Sequence, residues 1–208
     1  MYRYPLNKEN YFLDIKQDDN AESPDSWGNT DMFLVYDHKQ CTIERDGFAP
    51  RNIYEYLEQC KNSDTIDLRN DDFDKYWIFT VYAYIHSGVS LSLSRGTDRF
   101  DTSSTGFILI EKEIGGWSIG SKPYIVTEPE ATKYAEGLIE TWNQYLSGEV
   151  YSFTVVELNK CKCCGTIEEI EHGSCGGFYG SISKELLNDM IGYTEYNLTS
   201  YKPQEAQT

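Results

Sequence analysis

The run YWIFTVYAYIH, Tyr76 to His86, constrains this chain more than any other stretch. Up to its final histidine it holds only aromatic and β-branched residues and one alanine. Such side chains fit a pleated surface, and a run without polar alternation predicts a strand covered on both faces. The sequence after it supplies partners. HSG reads as a turn, and VSLSLS (Val89 to Ser94) alternates, with Val89, Leu91 and Leu93 on one face and serines on the other. RGTDRFDTSS reads as a loop and TGFILIEKE as a third strand, so the three strands predict an antiparallel meander.

Further elements follow from local patterns. DMFLVYDH (Asp31 to His38) has the short apolar run of a strand, and APRNIYEYLEQC, opening at Pro50, spaces Ile53, Leu57 and Cys60 as a short helix does. The strongest helix follows Thr127, which with Glu130 has the spacing of a capping box. Ala131, Tyr134, Ala135, Leu138, Ile139, Trp142, Tyr145 and Leu146 form its apolar stripe, and Gly148 offers a left-handed stop. EVYSFTVVEL and GTIEEIEHG read as fourth and fifth strands, and Ser183 as the cap of a last helix, KELLNDMIGY. The expected class is α+β: an antiparallel sheet of about five strands with two to three helices packed mainly on one face. Residues 1–30, polar and carrying Pro5, Pro24 and Gly28, are expected to be an irregular acidic arm. Residues 31–200 are expected to form a single domain and 201–208 a frayed tail.

Charge narrows the partners. Asp and Glu number 34 against 18 Lys and Arg, a net of −16 dispersed along the 208 residues. A field of this sign repels nucleic acid and anionic membrane, because phosphate contacts depend on Lys and Arg. It favours a protein with a basic surface. No segment reaches the roughly 20 apolar residues of a membrane-spanning helix, and MYRYPLNKENYFLDIKQDD lacks a secretion-signal pattern, so a cytoplasmic setting is expected.

Three groups of residues are chemically suggestive. His86 and Ser87 end a strand and Asp101 lies in the next loop with Thr102, Ser103 and Ser104; a carboxylate holding one imidazole nitrogen would leave the other as a general base. Those residue types also build turns, and no G-x-S-x-G elbow is present, so sheet corners are the favoured reading. Asp71, Asp72 and Asp74 could bind a hard cation but miss the spacing of an EF-hand, so solvated charge is the favoured reading there; Asp64 and Asp67 add carboxylates to the same segment. Together these aspartates are the candidate surface for a basic partner. Cys161-x-x-Cys164-Gly resembles a zinc knuckle that His172 and Cys175 could complete as Cys₃His, against which the return to His172 is short. GSCGGFYG and EIGGWSIGSKP are glycine-rich but lack Walker spacing, and turn chemistry explains them.

Four stretches in order, YAYIHSGVSLSLS, FDTSSTGFILIEK, WNQYLSGEVYSFTVVE and CKCCGTIEEIEHGSCGGFYG, resemble an uncharacterised family associated with phages, plasmids and integrated mobile elements. The resemblance covers residues 76–195 and departs from the family pattern at Thr102-Ser103-Ser104, where a glycine is expected. It implies a setting, the accessory cargo of mobile DNA, and no activity. With the charge, it leads to the expectation of a non-enzymatic inhibitor that binds a host defence protein, presenting carboxylates as a nucleic-acid mimic. The alternatives are an enzyme or ligand-binding protein using His86 and Asp101 in an aromatic pocket, and a zinc-stabilised interaction module with no other cofactor.

Overall fold

The computed structural model describes residues 1–28, 31–39, 41–45, 48–62, 71–96, 102–115 and 122–204, and the chain divides into two compact units. Unit 1 joins Met1–Glu22 to Gly148–Thr208, and unit 2 is Ser23–Ser147. The α+β class with antiparallel sheets is the one observed, with the strands shared between two main sheets.

Unit 2 is built on a five-stranded antiparallel sheet in the order β4-β3-β7-β5-β6, formed by β3 (Met32–His38), β4 (Cys41–Ile43), β5 (Tyr76–Ile85), β6 (Val89–Ser92) and β7 (Thr102–Glu111). The expected meander is thus replaced by a central β5 paired on both sides. Its register matches Ala83 to Leu91 on β6 and Phe79 to Ile108 on β7. The physical reason lies in the side chains: β5 and β7 are apolar on both faces and take interior positions, while the serine-faced β6 tolerates an edge. Helix α3 (Glu128–Ser147) covers one face, packing Ala131, Ala135, Ile139 and Trp142 on Leu34, Tyr36, Val81, Leu91, Ile108 and Ile110. Helix α1 (Pro50–Asn62) and the short α2 (Asp71–Asp74) belong to the opposite core, where Ile53 and Phe73 meet Phe33, Val35, Phe107 and Leu109. Both faces are therefore helix-covered, as doubly apolar strands require.

Local chemistry fixes α3 at both ends. Glu130 Oε2 accepts from the Thr127 backbone N–H at 2.9 Å and from its hydroxyl at 2.6 Å. These bonds, with another from the Tyr124 hydroxyl, draw the Glu130 carboxyl down to about 2. Gly148 (φ +74°) follows the last helical residue, Ser147, in the left-handed region where glycine costs least. Toward the C-terminal end, the Asn143 amide accepts from Leu91 N–H at 2.7 Å and donates to Leu91 C=O at 2.9 Å. It thereby satisfies backbone groups of the edge strand β6. A two-stranded ribbon, β8 (Glu113–Ile114) and β9 (Tyr124–Ile125), completes unit 2.

One cross-strand pair is unusually tight. Tyr36 on β3 faces Gly106 on β7, and a Cβ built at Gly106 would sit 2.1 Å from Tyr36 Cδ2. Only glycine leaves room for the ring. The Tyr36 hydroxyl is fully buried and finds no hydrogen-bond partner among the described residues. Burying such a group costs about 1–3 kcal/mol, so Tyr36→Phe is expected to keep the fold and raise Tm. A fall in Tm would show that the hydroxyl is partnered.

Unit 1 contains the second sheet, order β1-β2-β10-β11, from β1 (Tyr2–Pro5), β2 (Tyr11–Gln17), β10 (Val150–Lys160) and β11 (Ile167–Tyr179). The first 30 residues thus include two strands in place of the expected irregular arm. Tyr11, Leu13 and Ile15 alternate inward, opposite Glu157, Val155 and Phe153 of β10. Helix α4 (Lys184–Gly192), capped as expected by Ser183 Oγ on Leu186 N–H, covers that face with Leu186, Leu187 and Met190. Of the tail expected to fray, 201–208, residues 201–204 are described and are tied through Gln204, whose N–H donates to Arg3 C=O at 2.7 Å.

Arg3 and Asp14 are the two buried charged residues of this unit among those described. They face each other across β1 and β2. The guanidinium grips the carboxylate bidentately, Nε to Oδ1 at 2.7 Å and Nη2 to Oδ2 at 2.5 Å, and also bonds Glu169 Oε1 at 2.7 Å. The Asp14 hydrogen bond is the main reason the Arg3 proton is held more tightly than usual.

Candidate functional site

The β10–β11 hairpin of unit 1 gathers most of the suggestive chemistry. Its tip, residues 161–166, is a tight turn: Cys161 N–H donates to Thr166 C=O at 2.8 Å, Gly165 N–H donates to Cys161 C=O at 2.9 Å, and Gly165 adopts φ +75°. This turn brings Cys161, Cys163 and Cys164 together with their sulfurs all within 4.8 Å, a group able to hold a metal ion. Cys161 Sγ and Cys163 Sγ are 2.9 Å apart, and Cys164 Sγ is 3.1 Å from Thr166 Oγ1. A hydrogen bond from the Cys163 thiol, then those from the backbone N–H groups of Cys164 and Cys163, bring the Cys161 thiol down to about 6. The same contact with Cys161 pushes Cys163 up, while the Thr166 hydroxyl and N–H lower Cys164.

The expected fourfold set of Cys161, Cys164, His172 and Cys175 does not come together. His172 lies between the positions that pair with Val156 and Val155, about 16 Å along the strand from Lys160 at roughly 3.3 Å per residue. Cys175 pairs with Phe153, farther still. A paired strand advances steadily and cannot curl its residues back to the tip. Cys163, which the C-x-x-C pattern passes over, takes their place; the sequence signal was the run of three cysteines in four residues.

His172 has other work. The register shift between Val155 and Val156 makes it the extra residue of a β-bulge, a device that re-aims a side chain. Its Nε2 meets Glu157 Oε2 at 2.8 Å, its ring stacks on Tyr11 with centroids 4.9 Å apart, and Tyr11 OH donates to the same Glu157 oxygen at 2.6 Å. The Tyr11 hydroxyl and then the His172 ring hold Glu157 below the usual carboxylate range. A cavity of about 480 Å³ adjoins this network, lined by Phe153, Val155, His172, Cys175, Tyr193 and Tyr196 among others. Sequence patterns gave no signal for the Tyr11–Glu157–His172 association, because it joins strands separated by more than a hundred residues. GSCGGFYG is structural: a second shift places Gly176 and Gly177 (φ +79°) opposite a single β10 position, with Gly177 N–H donating to Asp18 Oδ2 at 2.9 Å.

The residues first singled out are distributed differently. His86 and Ser87 sit exposed in the turn after β5, where His86 N–H donates to Gly88 C=O at 3.2 Å. Neither residue lines any of three cavities found among the described residues. Asp101 lies outside the described residues, as do Asp64 and Asp67. Asp71 and Asp72 fall in α2, their side chains outside the description. Asp74 is engaged within unit 2: its carboxylate accepts from the Tyr56 hydroxyl, and its carbonyl accepts from Lys112 Nζ at 2.6 Å.

Strand β11 is the outer strand of its sheet, and among the described residues no other strand pairs with its outer edge. Residues 167–174 are all exposed, and Glu168, Glu169 and Glu171 occupy three of the first five positions. The charge surplus itself does not select a unit. Unit 1 has 14 acidic against 7 basic residues, a net of −7, and unit 2 has 20 against 11, a net of −9. No helix among the described residues is long and apolar enough to cross a membrane. No family model, no curated protein and no solved structure matches the chain.

Proposed function

We propose that this chain is an accessory binding protein that docks a partner with a basic surface, and that the acidic free edge of β11 is its contact. The observation that carries the reading is a 13-residue edge strand whose first eight residues, 167–174, are all exposed and carry Glu168 and Glu171, on a chain of net charge −16. An open strand edge gives main-chain hydrogen bonds to an added strand, and the carboxylates select for Lys and Arg on it and steer the encounter. The same carboxylates disfavour pairing between two copies of β11, since like charges directly opposite repel. A partner whose basic groove ordinarily holds nucleic acid fits this chemistry. The motif resemblance to mobile-element proteins favours a host defence protein met in the cytoplasm, with inhibition by occupancy.

The test is capture at low salt from host lysate by the wild type and by the Glu168→Lys/Glu171→Lys variant. The wild type is expected to retain a nucleic-acid-handling protein that raised salt and duplex DNA both displace. The variant is expected to bind at least about tenfold more weakly, a loss of roughly 1.4 kcal/mol. Equal capture by the two proteins, or capture indifferent to salt and DNA, would remove β11 from the reading.

A second reading, an interaction module supported by zinc, is favoured by the assembly of Cys161, Cys163 and Cys164 at the tip of the same hairpin.

A further inference from the structure

The geometry points to a three-thiolate zinc site at the tip of the β10–β11 hairpin, made by Cys161, Cys163 and Cys164, with its fourth coordination position open to a ligand from solvent or from a bound partner. It deepens the zinc-supported reading and is independent of which protein meets β11.

Three observations carry it. First, the sulfurs already lie within 4.8 Å of one another. Tetrahedral zinc with Zn–S bonds of about 2.3 Å needs sulfurs roughly 3.8 Å apart, so small side-chain rotations suffice, opening the 2.9 Å contact between Cys161 and Cys163. Second, the turn is built independently of a metal. Gly165 in the left-handed region and the paired backbone bonds between Cys161 and its returning strand fix the loop. Backbone N–H groups of Cys163 and Cys164 reach the Cys161 sulfur, and Thr166 serves Cys164. Such outer bonds orient thiolate ligands and offset their charge. Third, Lys160 and Lys162 are sequence neighbours of the ligands, and the Lys160 side chain lies against the turn, its Cε 3.9 Å from where a Cβ on Gly165 would sit, a cation beside the net −1 of a Zn(Cys)₃ unit.

The open position follows from the same strand geometry. His172, the obvious fourth donor, is engaged with Glu157 well down the hairpin. Among the described residues no other His, Cys, Asp or Glu joins the cluster. Cys163 and Cys164 are exposed, so an incoming ligand has access. Soft thiolates select zinc over magnesium or calcium. A closed structural site uses four protein ligands, whereas three leave a place for water or an outside donor. Loading is a ligand exchange without redox change: zinc gives up waters, and each thiol that still carries a proton releases it to buffer as its sulfur binds.

The experiment uses the full chain, reduced, stripped with chelator and titrated with zinc alone and then with cobalt(II) as a spectroscopic probe. The expected result is one zinc per chain, with cobalt showing thiolate charge-transfer and tetrahedral ligand-field bands. Added imidazole should shift those bands by entering the fourth position. Cys163→Ser is expected to weaken zinc binding at least about tenfold, while Cys175→Ser and His172→Ala leave it unchanged. Loss of binding in either of the latter, or cobalt bands indifferent to imidazole, would overturn the open three-thiolate site. Failure to take up zinc would also overturn it, as would conversion of the tip to a Cys161–Cys163 disulfide under the same reducing conditions. The Glu168→Lys/Glu171→Lys variant should load zinc normally, so failure of the metal site and failure of β11 docking are read separately.

Discussion

Replacing Arg3 with alanine is expected to destabilise unit 1 by about 3–5 kcal/mol, the range for removing one partner of a buried ion pair. Arg3 is 7% and Asp14 8% exposed, so neither charge can recover hydration where it stands. The guanidinium supplies two parallel bonds to Asp14 and a third to Glu169, joining β1, β2 and β11. Without it, the Asp14 carboxylate stays in a poorly hydrated position with no counter-ion, and that penalty exceeds the worth of the pair itself. Arg3→Lys is expected to recover only part of the loss, because an ammonium cannot reproduce the planar bidentate grip. Replacing Arg3 and Asp14 together by leucine should cost far less than Arg3→Ala alone, since it removes both charges. Urea unfolding of the three variants checks the order. If Arg3→Ala moved the midpoint no more than a surface substitution does, the pair would have to be solvated in a way its burial denies.

Trp142→Ala is expected to cost unit 2 a similar amount, about 3–5 kcal/mol, through lost apolar burial and the cavity left behind. Trp142 is 4% exposed on the inner face of α3, in one core with Ile139, Ala135 and the sheet residues Leu34, Ile108 and Ile110. Its ring also meets Tyr145 edge to face, centroids 5.9 Å apart. The site cannot simply collapse, because α3 is pinned at both ends, by Glu130 on Thr127 and by Asn143 on Leu91. Thermal unfolding followed by near-ultraviolet circular dichroism and by far-ultraviolet signal checks the effect. Trp142→Phe should restore most of the stability, whereas a loss below 1 kcal/mol for alanine would mean that α3 settles inward.

The helical readings survived because each rested on a local cause. Thr127 and Glu130 meet across three residues, Gly148 ends α3 in the left-handed region, and Ser183 caps α4. The β strands were legible as strands but not as neighbours. Tyr11, Leu13 and Ile15 alternate like any half-buried strand, yet Pro5 and the surrounding charges masked them as an arm. Nothing local says that they pair with Val155 and Phe153 more than 130 residues later. The expected grouping of Cys161, Cys164, His172 and Cys175 failed for a related reason. The pattern C-x-x-C…H-x-x-C counts residues, but strand pairing turns residues into distance, carrying His172 and Cys175 away while the turn itself recruits Cys163.

Composition and periodicity by themselves determined an antiparallel α+β chain, its helix ends, its acidic character and the presence of a thiol-rich turn. These depend on interactions within a few residues, or on sums over all of them. Tertiary structure alone decided that the chain's two ends share a sheet, that β5 pairs on both sides, that Arg3 is buried between carboxylates, and that the glutamate-bearing β11 pairs with a strand on one side only among the described residues. Backbone hydrogen bonds across a sheet are the same for every sequence, so the choice of neighbour is made by which distant side chains fill a common core.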